Sequence, residues 1–183
     1  MNCEDRMQRL DAREPEAFLK SVDVLNQVFG PRYMGKLYAG WQKGSRALTV
    51  NGVAYLIWFP KLAVRGKAAS SSGWINTLEN AGQTIIERAD EQATINDYEM
   101  DSRIRLVFAK EGKSAYYFRG VFVPDKKSCS RRFHVFKKVA DTADFSGAKP
   151  EIMYDLTAEM EDSSLWQVLK EAGVDVSSVE RPK

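Results

Sequence analysis

The chain has 183 residues, of which 44% are hydrophobic and 11% aromatic, with 27 Lys and Arg against 25 Asp and Glu. That content supports one packed domain and excludes general disorder, while the longest apolar run, Val53 to Phe59, is far short of the ~20 residues of a membrane-spanning helix. The near-balance hides a divided molecule: residues 103–138 carry eleven Lys and Arg against Glu111 and Asp125, a net +9, which leaves −7 for the remainder.

Such a concentration of charge points to an anionic partner. The N-terminus has mixed charge and no apolar core of a secretory signal, and Cys3 and Cys129 alone suit a reducing compartment. A cytoplasmic protein with no membrane association is the expectation.

In chain order, residues 15–29 read as an amphipathic helix. Pro15 suits its first turn, Phe18, Val22, Leu25 and Phe29 form one stripe, and Gly30-Pro31 ends it. Leu48 to Phe59 reads as two short strands around Asn51-Gly52, a tight-turn dipeptide. The small, polar run Ala68 to Gly73 is a loop. Trp74 to Leu78 and Thr84 to Arg88 make a second hairpin, and residues 89–102 are a short helix or an irregular crossover. Three strands follow at Arg103–Ala109, Ala115–Val123 and Arg132–Val139, the last two joined by a basic loop from Pro124 to Arg131. A capped helix is predicted over 164–172, where Ser164 with Gln167 makes a capping box and Gly173 stops it.

The pattern predicts a single α+β domain. It comprises a helical N-terminal extension over 1–46, a β-rich core over 47–145 and an acidic helical tail over 146–183. The sheet is small, curved or barrel-like and mostly antiparallel, with helices at both ends.

Period-two alternation sends Ile104, Leu106 and Phe108 to one face and Arg103 and Arg105 to the other. By the same count Tyr117 and Arg119 lie opposite Tyr116, Phe118 and Phe122, and Arg132, His134 and Lys138 share a face. If these strands adjoin, one side gathers Arg103, Arg105, Tyr117, Arg119, Arg132, His134 and Lys138, with Lys126, Lys127 and Arg131 on the neighbouring loop. Cations contact phosphates and rings stack on bases, so the set suits DNA or RNA. The plainer reading is a solvated outer face of a barrel. Trp74 borders the Ser/Gly loop, and with Ser72 or Asn76 it could wall a pocket for an extruded base, although core packing is the commoner role of a tryptophan.

Catalytic signals are weak. His134 is the only histidine and the cysteines lie far apart, which disfavours a zinc site or a Cys-His pair, so no metal or cofactor is expected. Asp101 with Glu111-Gly112-Lys113 imitates a metal-nuclease signature, but that chemistry wants strand residues and these fall in a predicted turn.

At Trp74-Ile-Asn-Thr-Leu with Thr84-Ile-Ile-Glu, and again at Arg105-Leu-Val-Phe-Ala-Lys, Tyr117-Phe-Arg-Gly-Val-Phe and Phe136-Lys-Lys-Val-Ala-Asp, the chain resembles PUA-like barrels of the SRA/EVE kind. These accompany bacterial HNH restriction-type nucleases, and the similarity covers about residues 47–145. The resemblance implies a barrel that reads DNA or RNA, often by caging one modified base, with Trp74, Asn76, Tyr117 and Arg119 at the matching positions. No HNH module follows residue 145, so it also implies a stand-alone reader or the partner subunit of a nuclease. The expectation is therefore a non-catalytic nucleic-acid-binding module. The alternative is a protein-interaction module whose basic face docks an acidic partner or the chain's own tail, since residues 151–183 hold eight acidic and three basic residues.

Overall fold

The computed structural model describes residues 9–24, 27–28, 46–50, 53–67, 73–95, 102–144 and 151–153, with side chains placed for all but 22, 46–50, 53–54 and 151–153. Eleven strands are present among them: β1 (Arg9–Asp11), β2 (Arg46–Val50), β3 (Val53–Trp58), β4 (Lys61–Leu62), β5 (Trp74–Glu79), β6 (Thr84–Ala89), β7 (Ile104–Glu111), β8 (Tyr117–Pro124), β9 (Phe133–Ala140), β10 (Thr142–Asp144) and β11 (Glu151–Met153). No helix among the described residues is long and apolar enough to cross a membrane.

The strands close on themselves. β5 pairs antiparallel with β6, β6 with β9, β9 with β8 and β8 with β7. β3 and β4 then lie end to end along the free edge of β7, both parallel to it, and β4 also pairs with β5. The result is a six-stranded barrel in which β3 and β4 act as one strand. β2 and β11 extend the sheet outward from β3, and β1 pairs with β10 as a separate ribbon. The hairpin at 48–59, the hairpin at 74–88 and the meander at 103–139 thus form as their alternation predicts, and β7, β8 and β9 are neighbours.

Every barrel strand contributes to one interior cluster: Trp58, Leu62, Ile85, Val107, Ala109, Phe122 and Phe136, with Leu78 packed against them. Closure buries the inner faces of these strands against one another. A second, aromatic layer lies outside the barrel wall. Phe108 meets Phe18 at 6.2 Å, Phe59 at 5.8 Å and Phe118 at 5.3 Å between ring centroids. β7 is therefore buried on both faces.

The N-terminal segment supplies part of that layer, and it does so without the predicted helix. Phe18 exchanges backbone hydrogen bonds with Tyr116, 2.9 Å from its amide and 2.7 Å to its carbonyl. This extended pairing claims the residue that would have headed the apolar stripe, and it turns Leu19 out to 79% exposure. Among the described residues of 15–29, helix is confined to α1 (Ser21–Val24) and to residues 27–28. Tertiary pairing has overridden the helical period. The helix at 164–172 lies outside the described residues, as do the turn at Asn51-Gly52 and the loop through Ser72. Glu151–Met153, assigned by sequence to the tail, is a strand against β2.

Candidate functional site

Strand direction decides which loops meet. β3, β5, β7 and β9 begin, and β6 and β8 end, at the same end of the barrel, as the pairings Tyr55↔Ile104, Trp74↔Ala89, Arg88↔Phe133, Arg105↔Phe122 and Pro124↔Phe136 require. That mouth is bordered by residue 73 before β5, the turn after β6, Arg103 before β7 and the basic connection between β8 and β9.

Below the rim the interior is layered. The hairpin register sets Asn76 opposite Glu87, and the β6–β9 register sets Glu87 opposite His134. One pleat deeper the same strands place Leu78, Ile85 and Phe136 in a row. A polar row thus rests on an apolar floor. His134 is 5% exposed, and its Nδ1 lies 2.8 Å from Oε1 of Glu87. With the carboxylate ionised, Nδ1 carries the hydrogen and Glu87 accepts. The imidazole stacks on Trp74 at 5.0 Å and 21° between planes. Asn76 donates its amide to the Lys61 carbonyl at 3.5 Å, while its own Oδ1 is buried without a partner. Buried acceptors of this kind are costly unless something donates to them.

Arg105 belongs to the same interior. Alternation set it outside with Arg103, yet it is 6% exposed and its guanidinium lies over the Phe136 ring at 4.8 Å. Its Nη1 donates to the Arg103 carbonyl at 2.8 Å. His134 likewise leaves the outer face expected for it. For Arg105 the reason is that both sides of β7 are covered, so apolar side chains occupy the outer layer as well as the lumen. The lumen takes the parity of Arg105, Val107 and Ala109. On β9 it takes the side of His134 and Phe136 and leaves Phe133, Lys137 and Val139 exposed.

The exposed cations at this end include Arg88 with Arg103, Lys126, Lys127, Arg131 and Arg132. Lys126–Ser128 forms a short 3-10 turn anchored where Asp125 accepts from the Ser128 hydroxyl at 2.9 Å. Arg132 donates to the Asp90 carbonyl and ties this loop to the turn after β6. Tyr117 and Arg119 instead lie toward the opposite end of β8, half-buried, with the guanidinium 5.5 Å over the Tyr117 ring. Lys138 runs along the lumen toward that far end, its Nζ 3.1 Å from Asp141 Oδ1 and 5.7 Å from the Phe122 ring centre. Ser72 lies outside the described residues.

Glu87 was missed by sequence reading, although a signal existed. A four-residue connection at 80–83 sets Glu79 against Thr84 and hence Asn76 against Glu87. Among the described residues no three His, Cys, Asp or Glu side chains gather as metal ligands. What the arrangement offers is a polar row beside an aromatic ring, with two acceptor groups and a cationic rim.

The family model of the SET and RING associated domain matches residues 6–145. Among solved structures the chain is similar to the 5-hydroxymethylcytosine-specific restriction enzyme AbaSI, with a TM-score of 0.51 and 23% identity, covering 79% of this chain and 47% of that one. The chain thus spans about half the length of that enzyme, and the likeness is one of fold. No curated protein matches it.

Proposed function

This chain belongs to the SET and RING associated domain family, and from that premise we propose that it is a DNA-binding module that takes one modified cytosine, turned out of the duplex, into the mouth of its barrel. The observation that carries the reading is the Asn76–Glu87–His134 row, walled by Trp74 and set at the same barrel end as the exposed cations 88, 103, 126, 127, 131 and 132.

The chemistry supports cytosine over thymine. Cytosine presents an exocyclic amine where thymine presents a keto oxygen. The uncommitted oxygens of Asn76 and Glu87 are acceptors, so an amine satisfies them and a keto oxygen leaves them facing another acceptor. Trp74 offers a stacking surface, and Leu78, Ile85 and Phe136 form the floor. The rim lysines and arginines would hold phosphates, which position a duplex without reading its sequence. Because AbaSI is named for 5-hydroxymethylcytosine, that base is the first modification to test. In this reading the module binds and does not cut, any cleavage falls to a nuclease partner subunit, and the setting is cytoplasmic.

The experiment is a titration of purified protein against matched duplexes carrying cytosine, 5-methylcytosine or 5-hydroxymethylcytosine across a salt series. The expected result is tighter binding to one modified duplex, with discrimination lost in Trp74→Ala and Glu87→Ala and salt dependence kept. Equal affinity for all three duplexes in the wild-type protein overturns base reading.

A further inference from the structure

One side chain touches both groups that the base-pocket reading puts against the ligand. His134 hydrogen-bonds Glu87 at 2.8 Å and stacks on Trp74 at 5.0 Å. It is braced from below by Phe136, which meets it edge-on at 6.5 Å. Glu87 has three rotatable side-chain torsions, and an unheld carboxylate would lose that freedom when a ligand engaged it. Trp74 begins its strand, directly after a glycine, and His134 lies against the face of its ring.

We propose that His134 is a positioning residue of this pocket: in its neutral form it presents the Glu87 carboxylate and the Trp74 ring to the base, and protonation of its imidazole weakens capture of the base. The proposal rests on the base-pocket reading. Neutral His134 donates from Nδ1 and leaves Glu87 its negative charge for the ligand's amine. Imidazolium turns the same contact into an ion pair, which draws that charge inward and away from the ligand. Among the described residues, the charged and titratable groups around the ring are few. Glu87 contacts it from β6, and Arg105 reaches the shared Phe136 from β7. Trp74 and Asn76 on β5 do not titrate. Asp90 and Arg132 sit above at the rim, joined to each other through the Asp90 carbonyl.

The first test uses the full chain without DNA. Tryptophan fluorescence is followed from about pH 8 down to about pH 5, the range in which histidines titrate. A stacked imidazolium quenches indole emission, so the wild-type signal should step down on acidification. The same step should vanish in His134→Gln and in Trp74→Phe. A wild-type signal without a step, or a step that survives in either variant, overturns the proposal whatever DNA does.

The second test measures affinity for a 5-hydroxymethylcytosine duplex over the same range. The wild type should weaken about tenfold on acidification, as loss of one hydrogen bond to a charged group implies. His134→Phe keeps a ring beside Trp74 but has neither hydrogen bond nor charge, so it should bind more weakly with a pH profile matching that for plain duplex. A His134→Phe profile parallel to the wild type overturns the positioning role alone. No preference for the modified duplex at any pH overturns the base-pocket reading, and the positioning role with it.

Discussion

The carbonyl of Gly73 accepts a 2.8 Å hydrogen bond from the amide of Asp90, joining the start of the strand that carries Trp74 to the end of the strand that carries Glu87. The fit is close. Gly73 has φ +74°, and a Cβ there would lie 2.5 Å from Asp90 Oδ1 and 2.7 Å from the Ala93 amide nitrogen. That carboxylate already accepts from the Gln92 amide at 2.8 Å. Gly73→Ala is expected to cost about 1–3 kcal/mol, through strain at positive φ and displacement of the turn. Urea denaturation checks the cost, and loss of modified-base preference in the same variant checks that Trp74 has moved.

Asn76 is expected to trade stability for binding. Its Oδ1 is buried with no partner, so the ligand-free protein carries an unmet acceptor. Asn76→Leu should leave stability unchanged or raise it by up to about 1 kcal/mol, and should lower affinity for a modified duplex at least about tenfold. A thermal melt and a titration on one preparation test both halves. A large loss of stability would show that the side chain serves the fold.

Lys126 and Lys127 are exposed on the turn beside the mouth. Replacing both with alanine is expected to weaken plain and modified duplexes equally and to lower the slope of log affinity against log salt by about 1.8, some 0.9 for each phosphate no longer neutralised. A changed preference between duplexes with an unchanged slope would place these lysines at the base instead.

Asp11 offers a pH test remote from the pocket. The Arg13 side chain hydrogen-bonds its carboxylate from Nε and Nη2, each at 2.9 Å, and the Arg13 amide adds a third bond. These bonds lower the Asp11 pKa from 3.8 to about 2. With the folded pKa depressed, the stabilisation is fully present above the ordinary carboxylate value and is lost as pH falls through about 2. Arg13→Ala should return the titration toward 3.8, as read by carboxyl NMR shifts.

Local order was legible in the sequence, and facing was not. Alternation and turn residues located β5 to β9, because each is a hairpin neighbour of the next or lies one connection away. The side each residue faces depends on closure, on the layer outside and on bulges. β8 holds an extra residue, Arg119, where its pairing with β7 shifts between Val107 and Phe108. That bulge sends Phe118 to the outer aromatic layer and Phe122 into the lumen, although their spacing put them on one face. Its one trace in the sequence is Gly120, at φ +125°, where a Cβ would come within 2.8 Å of the Ala140 carbonyl. Arg105 and His134 face inward although a charged or titratable side chain ordinarily seeks solvent. Each is met inside by a polar partner, Arg105 by the Arg103 carbonyl and His134 by Glu87.

The parallel contact of β3 and β4 with β7 gives the chain an order of assembly. The hairpin β5–β6 and the meander β7–β8–β9 join segments close in sequence, whereas β3 must find β7 across everything encoded by β4, β5 and β6. Loop-closure entropy makes such long-range pairing late in folding. The two-residue β4, bonded to β7 on one side and to β5 on the other, is then the seam that zips the cylinder shut. The Lys61 carbonyl that receives the Asn76 amide belongs to that seam. Ligand affinity should therefore emerge only in the slowest refolding phase, after sheet content has already formed, so refolding followed by base binding would time the last stitch of the barrel.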